Sequence, residues 1–189
     1  MAGALPTMPD FAALEAAAQP FADRQTHILA LIGNLVLGWS NNESMFVYVL
    51  MLLLETDEVS AAVTFSTLNT TRARLDLVRR LAAVKLRDPA AAQTLARLMK
   101  RFDACTRMRN EFNHCVYSLN DRGEIVSTQL MRVQEERGRL NIGTVRAMDA
   151  ARVETIADMN RQLKRLNRDL WAFLPQLNAA MAKTPPTPP

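Results

Sequence analysis

One six-residue segment of this 189-residue chain carries side chains that could do chemistry together. It reads Arg109-Asn110-Glu111-Phe112-Asn113-His114. A histidine can take up or release a proton near neutral pH, as a base or as an acid. An arginine presents a fork of N–H donors that can stabilise negative charge, and an asparagine lies between the two. The segment therefore combines a group for proton transfer with a group for binding an anion.

The segment falls at the end of a predicted helix, and a helical wheel divides that helix into two stripes. The polar stripe contains Lys100, Asp103, Arg107, Asn110 and His114. The apolar stripe contains Leu98, Phe102, Cys105, Arg109, Phe112 and Val116. Arg109 thus interrupts an apolar face, where a guanidinium is costly unless it is paired or reaches a wet cleft. Arg109 and His114 can converge if the helix frays at His114 and Arg109 reaches across the edge.

Helices must hold this segment in place, and the composition favours them. Ala, Leu, Arg, Met and Gln are plentiful, whereas Gly and aromatic residues are few, which is unlike an all-β chain. The pattern predicts an all-α fold, a bundle of about five to six helices with a small β-hairpin inserted before the last long helix. Helices are predicted over Phe11 to Gln19, Phe21 to Trp39, Ser44 to Glu55, Glu58 to Lys85, Pro89 to about His114, and onward from a cap at Asp149.

Two helix boundaries stay open at the level of the sequence. Ser40 and Glu43 could form a capping box that separates two helices, or they could belong to a polar patch inside one long helix. Asn69-Thr70-Thr71 could kink the helix from Glu58 to Lys85. The apolar stretch from Ile28 to Leu54 is interrupted by polar residues, so it predicts buried helices rather than a membrane span.

After His114 the pattern becomes typical of strands. Cys115 to Leu119 and Ile125 to Val133 contain β-branched residues and flank a turn-forming run around Gly123, so a β-hairpin is predicted there. Gln134 to Met148 is predicted to be a loop, with more extended chain at Leu140 to Val145. The predicted organisation is a flexible lead over residues 1–9, a single domain over residues 10–183 and a Pro-rich disordered tail over residues 184–189.

Composition bounds the class of protein and its partners. The net charge is +4 and the pI about 9.5. This charge either favours anionic partners such as RNA or reflects an arginine-rich proteome, and the sequence fits both explanations equally well. Cys105 and Cys115 are about 15 Å apart along a helix, too far for a disulfide, so they predict free thiols in a reducing, cytoplasmic compartment. The sequence has no zinc-binding spacing and no phosphate-binding glycine loop, so no metal or cofactor is predicted.

The six-residue segment resembles the motif of HEPN domains, in which an arginine is followed by a polar residue and, after four to six residues, by a histidine. Here these are Arg109, Asn110 and His114. The surroundings are similar too: a long helix ends at the histidine, and a hairpin-like excursion and a final long helix follow. Glu43 matches an acidic residue in an earlier helix. The resemblance spans about Phe21 to Leu177, and its specific part is the six-residue motif.

The resemblance implies a metal-independent endoribonuclease, in which the 2′-hydroxyl of RNA attacks the adjacent phosphate and leaves a 2′,3′-cyclic phosphate. Arg109, Asn110 and His114 would then be catalytic. Supporting or substrate-binding residues would be Glu43, Arg107 and Asn113. The resemblance also implies a homodimer with composite sites, with the last helix or the face around Phe112 as its surface. A role as a toxin or defence effector, with an antitoxin as protein partner, is implied as well.

Other roles for the same residues remain open. His114 could cap the carbonyls at its helix end, Arg109 could be a buried structural residue paired with Glu43 or Glu55, and Glu43 could serve only as a helix cap. The chain would then be a non-catalytic HEPN-like module that binds RNA, a nucleotide or a protein, or an oligomeric scaffold without a site. The apolar stripe from Ile156 to Met181 could be core or dimer surface.

Overall fold

The computed structural model describes residues 24–120, 123–131, 133–136 and 139–182, together with residues 4 and 7. The helices in these ranges are α1 (Arg24–Leu54), α2 (Glu58–Thr67), α3 (Thr71–Lys85), α4 (Pro89–Asn113) and α5 (Ala150–Ala182). The fold class is as predicted, mostly helical with a small antiparallel β insertion before the last long helix. The predicted helix Phe11 to Gln19 and the Pro-rich tail lie outside the described residues, as does the lead apart from residues 4 and 7.

The chain divides into two compact units. One contains Ser40–Phe102 and the described part of Arg165–Pro189, and the other contains the described parts of Ala18–Trp39 and Asp103–Lys164. The boundaries fall within α1, α4 and α5, so each of these long helices contributes residues to both units. The single domain expected over residues 10–183 stays a prediction.

Helix α1 runs without a break through residues 40–43, so of the two alternatives left open for Ser40 and Glu43 the polar patch inside one long helix is right and the capping box is not formed. The acidic member of this polar patch has partners in another helix. The Glu43 carboxylate accepts a hydrogen bond from the Thr71 hydroxyl at 2.6 Å and forms an ion pair with Arg74 at 3.0 Å. A side chain with such tertiary partners has no need to cap a helix end.

A single helix is predicted from Glu58 to Lys85, but the structure has two helices there, and the first ends at Thr67 and the second begins at Thr71. Asp57 caps the first, accepting from the Ser60 N–H, and Thr70 caps the second, accepting from the Ala73 N–H. Caps of this kind satisfy N–H groups that have no partner inside a helix. The segment Asn69-Thr70-Thr71, for which only a kink was suggested, therefore contains the N-cap and the first residue of a new helix.

A three-stranded antiparallel sheet follows His114, in the order β1 (Cys115–Leu119), β2 (Ile125–Leu130) and β5 (Val145–Ala147). The predicted hairpin is confirmed, because Tyr117 pairs with Thr128 and Cys115 with Leu130. Its second strand, predicted to reach Val133, ends at Leu130, and Val133 begins the next strand, β3 (Val133–Glu136). The loop predicted from Gln134 to Met148 is wrong, because it contains most of a second hairpin, β3 with β4 (Arg139–Ile142), and all of β5. Its more extended part, predicted over Leu140 to Val145, coincides with most of β4 and the start of β5. These strands are three or four residues long, too short for alternation to show in the sequence.

The apolar stripe of the last helix is intramolecular core. Its members Ile156, Leu163, Leu166, Leu170, Phe173 and Leu177 are each at most 1% exposed. Phe112 is also buried, at 2%. The stripe of the last helix is thus not available as a dimer surface in this conformation, whereas the face around Phe112 includes Val116, which is 47% exposed. Among the described helices, none is long and apolar enough to span a membrane.

Gly143 lies between β4 and β5, at a point where no side chain fits. A Cβ atom there would lie 2.4 Å from the carbonyl oxygen of Leu130 and 3.0 Å from its Cβ. Gly143→Ala is therefore expected to lower the free energy of unfolding by about 2 kcal/mol, as forced overpacking does. Gly33→Ala is the matched control: its Cβ would meet nothing within 4 Å inside α1, so a gain of up to about 1 kcal/mol is expected. Urea unfolding measures both, and equal effects would contradict the argument.

Candidate functional site

The last turn of α4 and its junction with β1 position the motif. The helix starts at Pro89, where the Asp88 carboxylate accepts the Ala90 N–H at 2.9 Å, and it ends at Asn113. The His114 N–H donates to the Asn110 carbonyl at 3.1 Å, and the His114 carbonyl accepts from the Met131 N–H at 2.7 Å. The backbone of His114 is therefore fixed on both sides while its side chain is exposed.

Within α4 the two predicted stripes are borne out by burial, but Val116, the last predicted member of the apolar stripe, lies in β1 and is 47% exposed. On the apolar side Leu98, Phe102, Cys105 and Phe112 are buried, and Arg109 among them is half-buried. On the polar side Lys100, Arg107, Asn110 and His114 are exposed, and Asp103 is half-buried. The guanidinium of Arg109 therefore lies at the edge of an apolar surface, and the structure must compensate for its partial loss of water.

The compensation comes first from Trp39 on α1. The Arg109 Cζ atom lies 4.1 Å from the centre of the Trp39 ring, within the range of a cation–π contact. The Trp39 side chain is 5% exposed, and its indole N–H donates to the Thr106 hydroxyl at 2.9 Å. The ring is thereby held in a single orientation, so it forms a rigid platform under the guanidinium.

Two asparagines also compensate Arg109, by accepting hydrogen bonds from its guanidinium. The Arg109 Nη1 donates to the Asn110 Oδ1 at 3.0 Å. When its amide oxygen faces the guanidinium, Asn113 accepts from Nε at 3.1 Å and from Nη2 at 3.2 Å. A guanidinium has five N–H donors, so these bonds leave one N–H on each terminal nitrogen. Arg109 is thus oriented by neutral groups and keeps two donors for a ligand.

No carboxylate neutralises Arg109 among the described residues. The two acids suggested as its partners are engaged elsewhere, since Glu43 binds Thr71 and Arg74 and Glu55 binds Lys85 at 3.3 Å. The full positive charge of the guanidinium is consequently available to an anion. An arginine that is held in place by an aromatic ring and amide oxygens is suited to bind a phosphate. The negative charge of the phosphate would then neutralise the guanidinium.

Glu111, inside the motif, is the acid nearest to Arg109 in the sequence, and it is already neutralised. It binds Arg152 of α5 and also the Arg146 Nη1 at 3.1 Å. The Arg152 guanidinium in turn lies 4.7 Å above the Phe112 ring. These contacts tie the end of α4 to α5 and to β5, and they keep the Glu111 charge from cancelling that of Arg109.

The groups that follow the motif hold its backbone. The Phe112 carbonyl accepts from the Tyr117 hydroxyl at 2.7 Å and from the Cys115 thiol at 3.4 Å. Burial raises the pKa of the Tyr117 hydroxyl and of the Cys115 thiol. Both groups stay protonated at neutral pH, so neither is suited to act as a base or a nucleophile. Both cysteines are free, as predicted.

The predicted site residues fall into three groups. Arg109, Asn110 and Asn113 are brought into direct contact. His114 is exposed at the end of the same helix, and within the described part of the chain its imidazole makes no hydrogen bond to the helix carbonyls it was suggested to cap. Arg107 is exposed on that helix, and Glu43 belongs to the other compact unit.

Sequence reasoning missed Trp39 and Thr106. A signal for Trp39 exists, because it immediately precedes the polar run Ser40-Asn41-Asn42-Glu43 in an otherwise apolar helix. What the sequence lacks is any indication that this ring meets Arg109, seventy positions later. The pairing is a property of how α1 and α4 pack in this unit.

No family model, no curated protein and no solved structure matches the chain. Over the ranges that the structure describes, no group of three or more His, Cys, Asp or Glu side chains is placed to hold a metal ion. The arrangement that remains is an un-neutralised arginine with two available donors, five positions before an exposed histidine on the same helix end.

Proposed function

We propose that this protein is a metal-independent endoribonuclease of the HEPN type. The observation that carries the proposal is the state of Arg109, a guanidinium fixed by Trp39, Asn110 and Asn113 and lacking a carboxylate among the described residues. Such a group is built to receive an anion. The exposed His114 on the same helix end adds a proton-transfer group, and RNA is a substrate that needs both.

The reaction assigns a role to each residue. The 2′-oxygen of a ribose attacks the adjacent phosphorus while His114 takes its proton, and the bond from phosphorus to the 5′-oxygen breaks as that oxygen gains a proton. The products are a 2′,3′-cyclic phosphate and a 5′-hydroxyl. Arg109 directs its two remaining N–H groups at the phosphate oxygens, whose charge grows in the transition state. Asn110 and Asn113 position Arg109.

A homodimer would complete this chemistry. The reaction needs one group to accept a proton and another to donate one, and each protomer carries a single motif histidine, His114. If two protomers pair the ends of α4, one His114 can take the proton of the 2′-hydroxyl as base and the other, protonated, can give a proton to the leaving 5′-oxygen as acid. A toxin or defence role with an antitoxin partner in the cytoplasm belongs to the same proposal.

The test uses purified protein and a mixed RNA pool in EDTA. Wild-type protein is expected to produce fragments with cyclic-phosphate ends, and His114→Ala to lower the rate by about 10²- to 10⁴-fold, the usual contribution of a general acid–base group. His27→Ala is the matched control, because His27 is the other histidine and is also exposed. Equal cleavage by wild type and His114→Ala would overturn the assignment.

A non-catalytic module is the second candidate, and one observation favours it. The contacts of Arg109 with Trp39 and the two asparagines would also suit an arginine whose only task is to pack one helix on another. The same preparations decide between the two. RNA binding without cleavage, by wild type and His114→Ala alike, would assign the protein to the module.

A further inference from the structure

The positive charge of the chain is concentrated in one short segment. Residues 71–87, which comprise α3 and the two residues after it, carry six basic side chains and one acidic side chain. Their net charge is +5, whereas that of the whole chain is +4, so the remaining residues together carry −1. The high pI therefore reflects this segment, and the excess of basic side chains is not spread evenly over the protein.

Half of these basic side chains are neutralised by acids. Arg74 binds Glu43, Lys85 binds Glu55, and Arg79 binds Asp76 of the same helix. The others are Arg72, Arg80 and Arg87, which are exposed and have no carboxylate partner among the described residues. These three, together with Arg79, which is exposed and bound to Asp76, form what we call the α3 arginine surface.

The geometry of α3 places these groups along one side of the helix, with the carboxylate of Asp76, which binds Arg79, between Arg72 and Arg80. Its 15 residues extend over roughly 22 Å. Arg72, Arg79 and Arg80 lie on the exposed side, while Leu75 and Val78 are buried on the other. Arg72 is separated from Arg79 by two helical turns, and Arg87 follows the helix end. A row of guanidinium groups of this length can contact several phosphates of one strand.

We propose that the α3 arginine surface binds the phosphate backbone of an RNA strand. The proposal rests on the proposed function, because it assigns to this surface the holding of the same substrate. Arginine forks suit phosphate oxygens, and contacts of this kind are independent of base sequence. A membrane is the poorer fit, since among the described residues α3 exposes a single large apolar side chain, Val84 at 79%.

The experiment measures binding without cleavage. A 5′-fluorescein single-stranded RNA is titrated with His114→Ala protein, and fluorescence anisotropy is recorded over a range of salt concentrations. Adding Arg72→Gln, Arg80→Gln and Arg87→Gln together is expected to weaken binding about tenfold or more and to lower the slope of log K against log salt by about 2, since each lost phosphate contact removes about 0.7.

Two further variants sharpen the result. Lysine at the same three positions keeps the charge and is expected to retain the salt slope with weaker binding. Glutamine at Arg97, Lys164 and Arg165 removes the same charge from exposed residues outside α3 and is expected to change the affinity less than threefold. Circular dichroism checks that each variant is folded.

Three results would overturn the proposal: no RNA binding by the parent protein, equal losses in the α3 and control triple variants, or binding to phosphatidylserine vesicles at salt concentrations that release RNA. The outcome is independent of the ribonuclease test. A protein that binds through α3 and cleaves nothing would refute the proposed function alone, and one that cleaves without needing these arginines would refute this inference alone.

Discussion

Replacing Arg109 with lysine is expected to lower the rate of RNA cleavage by about 10²- to 10³-fold, the loss seen when one donor to a transition-state anion is removed. Lysine retains the positive charge but has neither the planar fork nor the flat face that rests on Trp39. Arg109 offers one free N–H on each terminal nitrogen, a spacing that matches two oxygens of one phosphate. Single-turnover cleavage of a labelled RNA measures this effect directly.

The same substitution is expected to cost only about 1 kcal/mol of the free energy of unfolding, the size of a partly exposed cation–π contact. A loss of that size leaves nearly all molecules of an ordinary domain folded, so instability cannot produce a hundredfold loss of rate. Arg97→Lys, on an exposed turn of α4 where Arg97 donates to Thr94, should change neither quantity. Wild-type cleavage by Arg109→Lys would make Arg109 a structural residue.

The sequence predicts the composition of the candidate site better than its contacts. The helical wheel of α4 places Arg109 on an apolar stripe and His114 on a polar one, and burial agrees. Those assignments depend only on local periodicity, which the sequence contains. The platform under Arg109 depends on Trp39 in another helix, and the suggested partners Glu43 and Glu55 are bound by Arg74 and Lys85 instead.

The fold shows the same division between local and tertiary information. The cap predicted at Asp149 is confirmed, because its carboxylate accepts the Arg152 N–H at the start of α5. Asp88 accepts the Ala90 N–H in the same way at the start of α4. The capping box at Ser40 and Glu43 has an equally good local pattern but does not form. The difference is that Glu43 binds Thr71 and Arg74 of α3, and these contacts exist only once the two helices have packed together. Local patterns therefore decide helix ends only where no tertiary partner competes for the capping residue.

Glu43→Ala is expected to lower the free energy of unfolding by about 2 to 3 kcal/mol. The Glu43 side chain is 12% exposed and that of Arg74 is 23% exposed, and removing one member of such a pair leaves the other charge largely without water or partner. The cost stays below the upper end for buried pairs because Arg74 retains its bonds to the Phe65 and Leu68 carbonyls and its contact with the Phe65 ring. Urea unfolding gives the difference.

A double-mutant cycle isolates the ion pair from the other contacts of the two residues. Arg74→Met in the Glu43→Ala background should cost less than Arg74→Met alone, because the charge that Arg74 neutralises is already gone. The cycle also tests Glu43 as a supporting residue of the candidate site. If Glu43 is structural, folded Glu43→Ala protein cleaves RNA at the wild-type rate well below its melting temperature. A variant that keeps its stability and loses cleavage would instead place Glu43 in the reaction, and the ion pair with Arg74 would then be a resting arrangement that substrate displaces.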